Sequence, residues 1–290
     1  MNSIRSMITR CGLLIRLLTS FSRDRSDLCY SFMGCENRMN LEGSYLNLGY
    51  WREASDYQTA AGAMVDLLGQ SARIQPGDHV LDAGCGFGDQ DARLMDTLGP
   101  ARILALNVTP IQIEEARKHN GRPGIEYSLC SATAIDAPEG TFDAVISLEA
   151  AFHFRTRQDF LRESFRVLRP GGRLAVIDLI PREIAGVVQT GGARGAIERW
   201  VYQVPRDNVY GTGRYQAILK SIGFQHIDMV SIRDYVFPGY LLHQQSMLQD
   251  PVLSAQLNPI IRFAMKHAGD PFTASDYVVV TAQKPDPKGS

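Results

Sequence analysis

Paired cysteines are missing from this chain. Its five cysteines, Cys11, Cys29, Cys35, Cys85 and Cys130, are odd in number and form no C-x-x-C pair. That argues against a disulfide framework and leaves zinc without a ligand cluster, so no metal is expected and a reducing, cytoplasmic setting fits. An excess of one charge is also missing. Thirty Lys and Arg stand against 31 Asp and Glu, for a net charge of −1. Such a chain has no basic field for a nucleic-acid backbone. The local run "FRTRQDFLRESFRVLRP" is Arg-rich, but Asp159 and Glu163 interleave it, and it reads as a solvated helix. No long apolar run occurs near the start, where Arg16 interrupts "GLLIRLL". This excludes a membrane span and weakens a secretory signal. Internal repeats and low-complexity linkers are absent as well. What remains is a chain of 290 residues, 44% apolar and 21% charged, enough for one α/β domain with elaborations.

The first 23 residues are Arg- and Ser-rich and contain no acid. Ile4, Met7, Ile8, Cys11, Ile15 and Leu18 fall on one helical face, opposite Arg5, Arg10 and Arg16. Three readings follow, in order of preference. The helix docks on the domain as a lid, it touches a membrane surface, or it is a targeting peptide. Residues 1–72 are taken as an N-terminal helical lid and 73–290 as the main domain.

The densest stretch is "VLDAGCGFGDQ", Val80 to Gln90. "HVLDA" reads as a buried strand and "GDQDARLMDTLG" as a helix stopped by Gly99 and Pro100. Asp89 is placed to cap that helix. Glycines at 84, 86 and 88 permit positive φ and let a ligand lie against the backbone. Asp82 stands at the carboxyl edge of the strand, where open α/β sheets bind ligands. A dinucleotide site wants G-x-G-x-x-G and a pyrophosphate on the helix. The spacing here is G-x-G-x-G, and an acid so close would repel a pyrophosphate and suit a cationic ligand. Strands and helices alternate onward to about Asp178, which argues for a parallel sheet. Pro181 to Gly213 reads as an insertion over the carboxyl edge, with Trp200, Tyr202 and Tyr210 as its aromatics. "HIDMVSIRDYV" reads as a strand, two helical stretches follow, and "SDYVVVTAQKP" is the final strand.

"LDAGCGFG" resembles the first motif of the class I S-adenosylmethionine-dependent methyltransferases, D-x-G-x-G-x-G. "ARILALNVTPIQIEEARKH", "CSATAIDAP", "FDAVISLEAAFHF" and "FRVLRPGGRLAVID" resemble the motifs that follow it, in order, over about residues 75–180. "YLNLGYW", Tyr45 to Trp51, resembles a segment that folds over the cofactor in the natural-product and cyclopropane-synthase-like groups. The resemblance implies a Rossmann-like sheet of seven strands, mostly parallel with the last antiparallel, bearing the helical lid and a cap insertion near 181–213. It implies S-adenosyl-L-methionine as cofactor. Asp82 then suits the ammonium end, and Gly84, Cys85 and Gly86 border the methionine moiety, with Cys85 filling the turn. The family usually has an acid at the end of the second strand; here Asn107 stands there and offers an amide to the ribose diol. Val108 packs on adenine, and Gln112 reaches the ribose or the amino-acid end. Ser131 and the backbone N–H of Ala132 meet the adenine edge. Tyr50 closes over the sulfonium, and Glu149 lies near the methionine end.

His153 is the one histidine in a motif that faces the reacting methyl. It is the candidate general base, since histidine exchanges protons near neutrality. The leading expectation is O-methylation of a small, partly apolar natural product or lipid-like acid. C- or N-methylation on the same scaffold is the alternative. An NAD-dependent oxidoreductase and a noncatalytic binding module are the readings from other classes. The expected partner is a small-molecule acceptor and no nucleic acid, with membrane-surface contact and a homo-oligomer left open.

Overall fold

Five apolar runs form parallel strands because a helix or loop long enough to cross the sheet joins each to the next. They are β1 His79–Ala83, β2 Arg102–Asn107, β3 Ile125–Leu129, β4 Phe142–Leu148 and β5 Leu168–Pro181. A two-residue hairpin, β6 Glu183–Ile184 and β7 Val187–Val188, precedes β8 Gln225–Ser231 and β9 Ser275–Gln283. The computed structural model describes residues 44–287 apart from 202, 258, 268 and 269. The amphipathic stretch 1–23 and Tyr202 lie outside the described residues, as does the side chain of Trp200.

The strand order is β3-β2-β1-β4-β5-β9-β8, with β9 antiparallel between β5 and β8. The order reverses between β1 and β4, and there a crevice opens at the carboxyl ends of the strands. Every residue of β4 is buried, as a strand covered on both faces requires. Side chains alternate between two cores. Val80, Ile103, Ala144 and Ile146 pack with Met64, Leu68, Leu94 and Ile113. Leu81, Ala83, Val145 and Leu174 pack with Phe160, Leu161, Tyr215 and Leu219 on the other face.

The helices of the first core are α1 Tyr57–Ser71, α2 Asp89–Leu98 and α3 Pro110–His119. Asp56 caps α1 through Thr59 N–H at 2.9 Å. Asp89 is the first residue of α2 rather than its cap. Gly88 caps instead, in the left-handed conformation with φ 82°, because the turn must reverse direction at that residue before the helix can start. On the other face, α4 Arg157–Val167 opens with a capping box between Thr156 and Asp159.

The solvated reading of the Arg-rich run needs correction at Arg157. Arg162 and Arg169 are exposed, but Arg157 is fully buried and its Nε lies 2.7 Å from Asp178 of β5. The guanidinium also stacks over the rings of Tyr210 and Tyr215, at 4.8 and 5.0 Å. The reason is position in the fold. Arg157 starts α4 where the end of β5 and the cap insertion converge. Tyr210, expected among the aromatics over the crevice, is buried in this cluster.

After β7 the cap continues as α5 Gly192–Val201, and α6 Thr212–Ile222 returns the chain to the sheet, ending at Gly223 with φ 113°. The expected strand over "HIDMVSIRDYV" stops at Ser231. Beyond it Ile232 pairs with Tyr277, a short 3-10 turn follows over Arg233–Tyr235, and Tyr235 C=O accepts from Trp51 N–H. The turn is what lets this segment leave the sheet edge and meet the N-terminal part of the chain. Helices α7 Phe237–Gln249, α8 Pro251–Gln256 and α9 Pro259–His267 precede β9.

Removing one partner of a buried ion pair leaves the other charge uncompensated. Asp178→Ala is therefore expected to lower unfolding stability by about 3–5 kcal/mol. Urea denaturation followed by circular dichroism checks this, and a loss below about 1 kcal/mol would mean that the Arg157 guanidinium finds another partner.

Candidate active site

The turn after β1 is tied to the neighbouring strand before any ligand is considered. Gly84 N–H and Cys85 N–H both donate to the Leu106 carbonyl of β2, at 2.9 and 3.0 Å. Gly84 and Gly86 are both left-handed, with φ 95° and 58°. A Cβ on Gly84 would collide with Ala150, so the turn and the chain leaving β4 close on one another there. Gly86 faces open space, its nearest neighbour being Leu46 at 3.5 Å from an added Cβ. It is the one glycine of the three where bare backbone borders the crevice. The Cys85 side chain turns into the core, and burial pushes its thiol well above the usual range. It fills space and is not a reactive group.

Beneath the turn, Asp82 is fully buried and its Oδ2 accepts from the Gln90 side-chain amide at 2.5 Å. Burial pushes its carboxyl up to about 6, opposed by hydrogen bonds from Asp91 and Gln90. Its Oδ1 meets no N–H or hydroxyl donor among the described residues. At the end of β2, Asn107 Nδ2 donates to Gln112 Oε1 at 2.8 Å and lies 3.4 Å from the Gly86 carbonyl. Its Oδ1 accepts from Thr109 N–H at 3.1 Å. Gln112 is buried, and its Nε2 has no partner. Val108, beside them, is 45% exposed. Across the β3 end, the Ser131 hydroxyl is engaged with Thr133 at 3.0 Å, and Ala132 is buried.

The segment Tyr45–Trp51 forms a strap over this edge. Asn47 Nδ2 donates to Ala61 C=O, Tyr50 N–H donates to Ala60 C=O, and Tyr57 OH donates to Asn47 C=O. The Trp51 indole bonds Leu48 C=O at 2.8 Å and fills the space left by Gly239 of α7. Tyr50 stands edge-on to Tyr235, with ring centres 5.7 Å apart, and bonds the Arg52 side chain. Glu149 leaves β4 in a left-handed conformation, φ 49°, and its Oε1 accepts both Leu48 N–H at 2.7 Å and the Tyr277 hydroxyl. It thus fastens the strap to the sheet, where the sequence reading expected a contact to the methionine end. Burial pushes its carboxyl up to about 7, against those two hydrogen bonds.

His153 sits on a 3-10 turn, Ala151–His153, at the carboxyl end of β4, half-buried against Phe152 with ring centres 3.9 Å apart. Asn208 of the cap holds this turn, donating to Phe152 C=O at 3.0 Å and Phe154 C=O at 2.8 Å. Phe154 in turn lies against Gly84. The fold therefore gathers Asp82, Gly84, Gly86, Asn107, Gln112 and the His153 turn around one crevice. Gln90, Asp91, Tyr277 and Asn208 were missed. Gln90 and Asp91 carried a signal, since they directly follow the glycines. Among the described residues no group of three His, Cys, Asp or Glu is arranged to hold a metal ion, and no helix is long and apolar enough to cross a membrane.

Glu149 makes stability depend on pH. Its carboxyl titrates near 4.3 in an unfolded chain (about) and near 7 here, so the folded chain holds the proton more tightly. Its contribution is fully present below the unfolded value and is lost as pH rises through about 7. Glu149→Gln keeps the acceptor oxygen and should flatten that decline. Thermal melts of both proteins from about pH 5 to about pH 8 check this, and equal slopes would count against it.

The chain matches a family model described as a methyltransferase domain over residues 81–176. It is 31% identical over 277 residues to erythromycin 3''-O-methyltransferase of Saccharopolyspora erythraea, covering 90% of each chain. It is 27% identical over 261 residues to 27-O-demethylrifamycin SV methyltransferase of Amycolatopsis mediterranei, covering 85% of this chain and 92% of that one. The solved structure of the cyclopropane synthase MmaA2 from Mycobacterium tuberculosis shares the fold, with a TM-score of 0.68 at 19% identity, covering 82% of this chain and 89% of that one. With nine-tenths of its length aligned to a methyltransferase at this identity, the chain belongs to the class I S-adenosylmethionine-dependent methyltransferases, and its reaction is methyl transfer to a small molecule.

Proposed function

We propose that the chain methylates a hydroxyl group of a partly apolar natural product or lipid-like molecule, with His153 taking the hydroxyl proton. One observation carries the reading: His153 is held on a clamped turn at the carboxyl end of β4, against the glycine turn. The names of two relatives, both methyltransferases of complex small molecules and one an O-methyltransferase, support it.

The residues present fit the cofactor. Asp82 Oδ1 meets no N–H or hydroxyl donor, Gln112 Nε2 is buried without a partner, Gly86 leaves a cradle that a Cβ would narrow, and the apolar Val108 and Leu46 are 45% and 40% exposed. When bound, S-adenosylmethionine supplies a methyl group on a positively charged sulfur. Asp82, buried beneath the turn, would supply negative charge for the ammonium end. Gly86 lets the backbone approach the methionine moiety, with Gly84 packed on Ala150 beside it and Cys85 as filler. The amides of Asn107 and Gln112 take the ribose hydroxyls, and Val108 covers the adenine face. Ala132 N–H and Ser131 border the adenine edge. Tyr50 faces the sulfonium side, and Glu149 acts indirectly by holding the strap that excludes water. The cap near 181–213 walls the acceptor side.

Transfer needs the acceptor oxygen, methyl carbon and sulfur in line, and holding that geometry supplies much of the acceleration. The imidazole of His153 accepts the proton as the oxygen attacks. His153→Ala should therefore lower kcat by about 10²- to 10⁴-fold and leave affinity for S-adenosylhomocysteine nearly unchanged. Steady-state kinetics beside calorimetry checks both. Near-normal kcat would instead favour a carbon or nitrogen acceptor that needs no base.

Asn107→Asp should tighten S-adenosylhomocysteine roughly fivefold, since a charge-assisted bond to the diol exceeds a neutral one by about 1 kcal/mol. Calorimetry showing no change would mean that position 107 does not face the ribose.

A further inference from the structure

Two carboxyl groups lie under the glycine turn with no cation to balance them. Asp82 and Asp91 are both 0% exposed and their carboxyl groups lie within hydrogen-bonding reach of one another, yet as carboxylates neither Asp82 Oδ1 nor either oxygen of Asp91 has a donor among the described residues. Asp82, one residue before the end of β1, lies between Ala105 of β2 and Ile146 of β4, both apolar. From the turn, the pair faces Cys85, whose thiol burial keeps protonated. From α2 it faces Gln90, which donates to Asp82, and Asp89, a further acid. From β3 it faces the phenol of Tyr127. Glu149, at the end of β4, is engaged with Leu48 and Tyr277 instead. The only basic residue of α2, Arg93, is committed to Asp66 of α1 through two bonds of 2.7 and 2.6 Å. Among the described residues no basic side chain faces either carboxyl.

Two carboxylates in contact in a dry site cannot both stay ionised, and a carboxyl–carboxyl hydrogen bond requires one proton between them. The environment decides which group holds it. Asp82 accepts from Gln90 as well, and this stabilises its charged form. Neither side-chain oxygen of Asp91 accepts a hydrogen bond from another described residue, so no neighbouring donor favours its charged form. Burial and the neighbouring Asp82 charge push Asp91 well above the carboxylate range.

We propose that Asp91 is a positioning residue for the cofactor: it stays protonated at neutral pH, donates to Asp82, and so keeps Asp82 as the carboxylate that faces the cofactor's positive end. This rests on the placement of the cofactor over the glycine turn. Binding and proton loss are then linked. Asp82 is ionised above about pH 6 and neutral below it. A cation above the turn favours the ionised form, so affinity holds at neutral pH and falls as pH drops through about 6.

The test is calorimetric titration of S-adenosylhomocysteine from about pH 5 to about pH 8, on native protein, Asp91→Asn and Asp91→Leu. Native Kd is expected to be flat in the upper half of the range. Below about pH 6 it should weaken, approaching about tenfold per pH unit. Asp91→Asn keeps a neutral donor and should follow the native curve. Asp91→Leu removes the donor, so its curve should move up by about one pH unit or more, with binding at pH 7 weakened several-fold. A flat native curve overturns the proposal. So does an Asn variant as weak as the Leu variant, or a Leu variant on the native curve. If the Leu variant does not fold, native titrations in two buffers of different ionisation enthalpy count the proton. About half a proton released near pH 6 and none near pH 8 is expected, and none at either pH overturns the proposal. Absence of binding by native protein at every pH would instead remove the cofactor placement itself, and the proposal with it.

Discussion

The ion pair between Arg157 and Asp178 is the constraint on which the His153 side of this molecule depends. It joins the start of α4 to the end of β5, and the cap insertion assembles around it. Arg157 N–H and its guanidinium also bond Asn208, at 2.8 and 3.0 Å, and Asn208 then holds the turn that carries His153. Burying such a pair contributes little net stability, because desolvation offsets most of the attraction. What it supplies here is a single geometry. Every hydrogen-bonding group of Asn208 that reaches this cluster has a fixed partner, so the His153 turn has one place to sit.

The two sides of the switch point are electrostatically unlike. On the β5 side a buried acid meets a buried guanidinium. On the β1 side buried acids meet an amide, a thiol and a phenol and, among the described residues, no cation. The first arrangement is complete within the protein. The second leaves room for a positive ligand to complete it, which matches a cofactor that carries its charge on sulfur and ammonium. Asn107 fits the same pattern: a neutral amide paired with Gln112 adds no further negative charge beside the turn.

The strap links these sides. It crosses the crevice from α1 to α7, and Glu149 and Tyr277 anchor it from the sheet. A carboxyl with a neutral-range titration holding a backbone N–H gives a fastening whose strength varies with pH. The cover over the cofactor edge and the sheet beneath it are thus one hydrogen-bonded unit.

Local chemistry made the frame legible in the sequence. Short apolar runs, helix stop signals at Gly99 and Gly223, and glycines at a strand-to-helix turn are all written between near neighbours, and they determined the parallel strands, the turn and the crevice edge. Asp82, Gly84, Gly86, Asn107 and His153 could be placed at that edge for the same reason. Partners and burial were decided only by tertiary structure. Arg157 looked solvated because its neighbours in sequence are acids, yet its partner Asp178 lies on another strand. Glu149 looked like a cofactor ligand because it ends β4, yet its bonds go to residues 101 and 128 positions away. Asp91 had no reading of its own in the sequence, and only the packing of α2 over β1 buries it against Asp82. Periodicity reports which face a residue takes; the charge that meets it there depends on elements brought together from distant parts of the chain.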